Sequence, residues 1–231
     1  AFDFALTSVT MGTAPLPPKK LMDPLLLVLS FIRSGSSLQQ LCLNAHKELY
    51  AGQELHLLSF DTMGERHVAI RGQRIDQGLL VSLIELECCK EDDVNSFVDA
   101  LGSSYPTWQM YEYLQKHCLP RMLVDKSPSN CNHLLIMQRA QDLFASPHYI
   151  HLVRHPYASI RSGMQLFTEI LGKRDVSWND IEQGWASANL CVHTFFLSNQ
   201  SMPKMTMTYE SLVSNPMEET QRICKLLSIP W

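Results

Sequence analysis

Residues 33–37, Arg33-Ser34-Gly35-Ser36-Ser37, bring one guanidinium, three hydroxyls and a glycine together on a stretch with almost no bulk. That set suits an oxyanion. Successive backbone N–H groups point into a small-residue turn, and a helix starting there adds about half a unit of positive charge. Arg33 offers a planar fork for phosphate or sulfate oxygens. Ser36 or Ser37 is expected to cap the helix while its hydroxyl faces the ligand. A nucleoside-triphosphate loop needs a second glycine and a Lys-Ser/Thr pair at its end. Here Ser36 and Ser37 stand in that place and the cation comes first. A tight turn carrying a surface arginine accounts for the motif equally well.

Further residues have types suited to chemistry. Arg154 and Ser162, eight positions apart, offer a cation and a hydroxyl that can grip one phosphate together. Glu54 is a candidate general base for an acceptor hydroxyl. His56 is a second, since alternation puts it on the same side as Glu54 if that strand continues. Lys126 either neutralises charge in a cleft or bridges Asp125 or another surface acid. Taken singly, Arg154 with Ser162 reads rather as a salt bridge and a helix-surface serine, and Glu54 rather as a solvated surface acid. His151, His155, Trp185 and the methionines of 202–207 read as packing. The histidines and cysteines do not cluster at ligand spacing, so no metal site is indicated. No serine sits in a GxSxG elbow.

The elements that must position these groups follow from the apolar pattern. Leu25–Leu29 is a run of branched apolar residues behind Pro24, the signature of a strand buried on both faces. A helix follows to about His46, with Leu38, Leu41 and Leu43 on its apolar side. Residues 49–55 predict a second strand, 121–126 a third, 149–154 a fourth and 204–209 a fifth. Helices are expected at 78–89, 92–101, 106–118, 133–144, 156–162, 178–197 and 210–227, with 60–76 as loop or flap. Strands alternating with helices imply right-handed crossovers and a parallel sheet covered on both faces, an α/β fold. Ligands sit at the carboxyl ends of such strands. Arg33, Glu54, Lys126, Arg154 and Tyr209 all fall near those ends.

The 231 residues suffice for one sizeable core, and residues 25–231 read as one domain behind a proline-containing linker at 1–24. Hydrophobic content of 45% excludes a disordered chain, and no apolar run is long enough to span a bilayer. A net charge of −4 argues against a general nucleic-acid binder. Seven cysteines, an odd number without a CxxC pair, read as buried free thiols in a reducing, cytoplasmic setting. The sequence lacks an initiator methionine and stops after a proline, so we expect a domain excised from a longer chain.

Four segments in order resemble the sulfotransferases that use 3′-phosphoadenosine 5′-phosphosulfate (PAPS). Residues 31–38 resemble the loop that grips the donor's 5′-phosphosulfate, and 149–156 continuing to Ser162 resemble the segment holding its 3′-phosphate. Residues 123–128 resemble a family strand with lysine before proline. Thr208-Tyr209-Glu210-Ser211-Leu212 resembles the tyrosine-acid-leucine segment opening the last helix. Arg33 stands where many members have lysine, His155 where an acid is common, and the late glycine-rich segment is missing. A finer resemblance, through residues 43–46, 49–58 and 60–66, is to sulfotransferase domains embedded in bacterial modular polyketide synthases. Those domains sulfate a β-hydroxyl on an acyl chain held by an acyl carrier protein, before a thioesterase releases the chain and a terminal alkene forms.

The resemblance implies a sulfotransferase fold and sulfuryl transfer from PAPS to an alcohol, leaving adenosine 3′,5′-bisphosphate (PAP), with no metal. It implies donor contacts from Arg33, Ser34, Gly35, Ser36, Ser37, Leu38, Arg154, Ser162 and Tyr209. Glu54 would be the base, His56 the fallback, with Arg33 and Lys126 stabilising charge. An acyl carrier protein and a neighbouring thioesterase domain are the implied partners. The sequence leaves open a stand-alone sulfotransferase for a small-molecule or carbohydrate hydroxyl, a kinase of similar loop architecture, and a non-catalytic domain.

Overall fold

A computed structural model of the chain describes residues 16–71, 73–173 and 175–231. Most of the expected linker, residues 1–15, lies outside the described residues. β1 (Leu25–Leu29) runs through the middle of a five-stranded, all-parallel sheet. The order is β2 (Leu49–Ala51), β3 (Met122–Asp125), β1, β4 (Pro147–Val153), β5 (Lys204–Thr208). Every β1 side chain is buried. The two-residue period of a strand sends Leu25, Leu27 and Leu29 into one core cluster and Leu26 and Val28 into another on the opposite face. Each such side chain contributes about 1.5–3 kcal/mol on burial. Upstream of β1, Leu21 is already buried and pairs through its backbone with Leu143 and Ala145.

The chain leaves β1 through α1 (Ser36–Asn44) towards the β2 edge. It leaves β4 through α7 (Pro156–Gln165) and α8 (Trp178–Ser198) towards the β5 edge. Adjacent strands β1 and β4 therefore send their connections in opposite directions, the place where open α/β sheets hold ligands. α1 shares the Leu26/Val28 cluster with α9 (Tyr209–Ser214) and α10 (Pro216–Leu227), whereas α7 and α8 pack on the other face. Among the described residues no helix is long and apolar enough to cross a membrane. All seven cysteines are free, but only Cys118, Cys131 and Cys224 are buried as expected; Cys42, Cys88, Cys89 and Cys191 are half-buried.

Several local expectations are corrected. α1 turns Ser36, Gln39, Gln40 and Leu43 inward and leaves Leu41 68% exposed. Gln40 donates to Ala51 O at 3.1 Å, so amides join Leu43 in docking this helix on the sheet, while Leu38 and Leu41 do not. β2 ends at Ala51 and does not continue to Leu55. The 60–76 segment contains α2 (Met63–Ile70), started by a reciprocal capping box between Thr62 and Glu65. The single last helix is two, α9 and α10, split at Asn215-Pro216, because proline disfavours the helical conformation of the residue before it. α3 (Gln77–Glu85), α4 (Val94–Ala100), α5 (Thr107–Cys118) and α6 (Leu134–Leu143) fall where helices were expected.

Candidate active site

The small-residue turn after β1 is held open by two residues at positive φ, Arg33 at 62° and Gly35 at 94°. Glycine is required at the second. A Cβ on Gly35 would overlap the Tyr209 ring, which lies directly against this backbone. Gly35 is also the residue that caps α1, in left-handed conformation and without a side-chain bond, so neither Ser36 nor Ser37 caps the helix. Both begin the helix instead, with Ser36 buried and Ser37 exposed.

The segment after β4 closes onto this turn. Arg33 Nε donates to Ser162 Oγ at 2.9 Å across 129 residues of sequence. Arg154 Nη1 donates to Arg33 O at 3.1 Å. The Arg154 guanidinium lies 4.3 Å from the centroid of the Tyr209 ring, a cation–π contact. Tyr209 is thus held between the glycine turn and Arg154. Beside it, Glu210 accepts from His155 N at 3.1 Å, tying the start of α9 to the start of α7. His155, expected as packing, is exposed. Ser34 Oγ and Arg154 Nε are buried without a hydrogen-bond partner among the described residues. Buried donors rarely stay unpaired in a purely structural turn, so these two fit an anion-binding role. Leu38 sits on the outer side of α1, partly exposed.

A second group gathers at the ends of β2 and β3. Lys126 Nζ donates to Glu54 Oε1 at 2.9 Å, and the lysine is only 3% exposed. His56 Nε2 faces Glu54 Oε2 at 3.4 Å, while its Nδ1 lies 2.9 Å from Ser129 Oγ. Burial pushes the Glu54 carboxyl upward, but the His56 hydrogen bond and the Lys126 charge outweigh it and hold the pKa at about 2. Glu54 is therefore ionised at neutral pH. A carboxylate can only accept, so His56 Nε2–H donates to it, while Nδ1 shares a hydrogen bond with the Ser129 hydroxyl. The expectation that strand alternation aligns Glu54 with His56 is wrong in its reason. β2 has ended, and His56 sits at φ 48°, where a left-handed kink returns its ring to Glu54.

Packing of the non-strand segment 52–61 explains why it holds this shape. Leu55, Leu57 and Leu58 are buried, so Glu54 and His56 alternate with core anchors. A Cβ on Gly78 would run into the Glu54 backbone, so α3 lies directly on that residue. Buried Arg66 donates from Nε to Leu55 O at 3.1 Å and pairs with Asp76 at 2.7 Å. Arg139 pairs with Asp61 at the far end of the segment. Lys126 does not bridge Asp125, which is no surface acid but wholly buried.

Sequence reasoning missed Asp125, Ser127, Ser129 and Arg66 as supports. Two serines flanking Pro128 beyond a strand end were the visible signal for the middle pair. No sequence signal marks a buried arginine. Among the described residues no three His, Cys, Asp or Glu side chains are grouped so as to hold a metal ion.

Fold and site together define an α/β protein with a positive-φ glycine turn at the topological switch point and a carboxylate–imidazole–ammonium trio at neighbouring strand ends. The chain belongs to the sulfotransferase family, whose profile matches residues 24–231. It is 24% identical over 209 residues to a protein-tyrosine sulfotransferase of Drosophila melanogaster, covering 90% of this chain but only 38% of that protein. It is similar to the solved sulfotransferase domain from the curacin biosynthetic pathway, with 30% identity and a TM-score of 0.83 over 92% of this chain and 76% of that one. The sulfotransferase domain from the Synechococcus PCC 7002 olefin synthase matches at 33% identity and TM-score 0.82, over 95% and 78%.

Proposed function

We propose that this chain takes PAPS as donor and transfers its sulfuryl group to an alcohol, the β-hydroxyl of an acyl chain carried by an acyl carrier protein. The observation that carries this reading is the 2.9 Å bond from Arg33 Nε to Ser162 Oγ. It joins the turn suited to a 5′-phosphosulfate to the Arg/Ser segment suited to a 3′-phosphate, as a doubly phosphorylated nucleotide requires.

The residues then divide the work. The backbone N–H groups of Ser34 to Leu38 and the Ser36 and Ser37 hydroxyls bind the 5′ end, aided by the α1 N-terminus. Arg154, Ser162 and Tyr209 hold the 3′-phosphate end, which selects PAPS over ordinary adenine nucleotides. Arg33 lies between the two ends and offsets charge on the leaving phosphate. The bound donor supplies an activated sulfuryl group in line with the acceptor oxygen. Glu54, the more exposed member of the acid–base pair, orients the acceptor hydroxyl and takes its proton late. A carboxylate with so low a pKa is a weak base, so the proton moves only after the sulfuryl group has largely transferred. His56, buried behind it with both ring nitrogens engaged, orients that carboxylate. Lys126 stabilises sulfuryl oxygens.

The carrier-protein acceptor and the neighbouring thioesterase rest on the likeness to the curacin and olefin-synthase domains. Free thiols fit a reducing, cytoplasmic setting. The first experiment is a thermal melt with PAP, with and without magnesium. Saturation at about 100 times the dissociation constant stabilises by about 2.7 kcal/mol, or roughly 5–10 °C at this chain length. A shift that requires magnesium, or none at all, refutes the reading. Sulfation of a β-hydroxyacyl carrier protein, scored against a free alcohol and a tyrosine peptide, tests the acceptor.

A further inference from the structure

One buried carboxylate has no part in the chemistry above. Asp125 closes β3 beside Leu27 of β1 in the middle of the sheet and is 0% exposed. Four donors converge on it. Tyr111 OH at 2.6 Å and Asn130 Nδ2 at 3.1 Å reach Oδ2. Ser127 Oγ at 2.6 Å and Ser127 N at 2.9 Å reach Oδ1. A hydroxyl has one proton. Ser127 gives its proton to Asp125, so its oxygen is left only to accept, and it accepts the His56 amide N–H at 2.8 Å. The direction of this relay is fixed by the carboxylate.

His56 needs such a restraint. A non-glycine residue at φ 48° carries about 1–2 kcal/mol of backbone strain, and its ring must stay against Glu54. The ring's other contact, Ser129, sits on the short 3₁₀ turn Pro128–Cys131, whose Asn130 is also held by Asp125. One carboxylate therefore governs both contacts that pin His56: the backbone through Ser127 and the ring through the turn that carries Ser129. Lys126 lies between Asp125 and Ser127 in sequence, so its departure from the strand is set by the same bonds.

We propose that Asp125 is a positioning residue for the Glu54–His56–Lys126 trio and acts through Ser127. This rests on the sulfuryl-transfer reading for its purpose, but its geometry can be tested without any donor. Ser127→Ala removes one buried hydroxyl and little else. Tyr111→Phe is the control, since it removes a bond to Asp125 that does not lead to His56. The imidazole nitrogens of His56 are followed by NMR in the free protein, alongside kcat, donor KM and the melt shift with PAP.

Ser127→Ala should shift the His56 ring resonances and lower kcat at least tenfold, with donor KM and the PAP shift unchanged. Tyr111→Phe should lower the melting temperature while keeping kcat within about twofold and the His56 signature intact. Wild-type His56 resonances in Ser127→Ala overturn the proposal, as does an equal loss of kcat in both variants. Failure of the wild-type protein to respond to PAP overturns the sulfuryl-transfer reading instead, while the His56 spectra still decide the positioning.

Discussion

Replacing Glu54 by Gln removes one charge and almost no volume, leaving Lys126 and His56 against a neutral amide. The folded protein holds this carboxyl at about 2 against an ordinary 4.5, burial being outweighed by the His56 hydrogen bond and the Lys126 charge. At 1.36 kcal/mol per pH unit, the ionised form gains about 3 kcal/mol from folding. The substituted amide would recover part of that through its oxygen, so a loss of about 1–3 kcal/mol, or roughly 2–12 °C in Tm, is expected at pH 7. The sign follows from a folded pKa below the unfolded one. The stabilisation is complete above about pH 4.5 and is lost as pH falls towards 2. The gap between wild-type and Glu54→Gln melts should therefore be full at pH 7 and narrow steadily below pH 4.5. A gap that stays constant down to pH 3, or melts that coincide at pH 7, would show that the ion pair does not hold Glu54 as described. Turnover should fall about 10²–10⁴-fold while PAP still raises the Tm. A variant turning over at the wild-type rate removes Glu54 from the chemistry altogether.

Arg154→Ala deletes the fork against Tyr209 and the bond to Arg33 O. One charge-assisted hydrogen bond is worth about 1.5–3 kcal/mol, so donor KM should rise roughly 10–100-fold with kcat little changed, as initial rates at varied PAPS will read. An unaltered donor KM would take Arg154 out of the nucleotide site. Gly35→Ala forces a side chain into φ 94° and into the Tyr209 ring. It should lower the Tm and abolish the PAP-dependent shift, and a variant that still binds PAP normally would mean that the turn is not the cradle.

The sequence alone determined the strand that matters most. Five branched apolar residues in a row have no polar side to expose, so β1 had to lie inside a covered sheet, and the small residues after it had to form a turn. The alternation of strands and helices then set the parallel α/β class, and the polar residues at strand ends gave the candidate groups without their partners. Helical amphipathicity was a poorer guide where amides did the docking, as at Gln39 and Gln40 of α1. The Thr62/Glu65 capping box marked α2 in the sequence but lay inside a segment too polar to suggest packing.

Tertiary structure decided which groups meet. Arg33 and Ser162 are separated by 129 residues, and only the opposite connections of β1 and β4 bring them within 2.9 Å. Glu54 faces Lys126 because β2 and β3 are neighbours in the sheet. His56 faces Glu54 because a left-handed kink, held by Ser127 and Asp125, replaces the strand that local pattern suggested. Local sequence encodes propensity over a few residues. A hydrogen bond across the sheet depends on strand order and register, and those emerge only when the whole core packs.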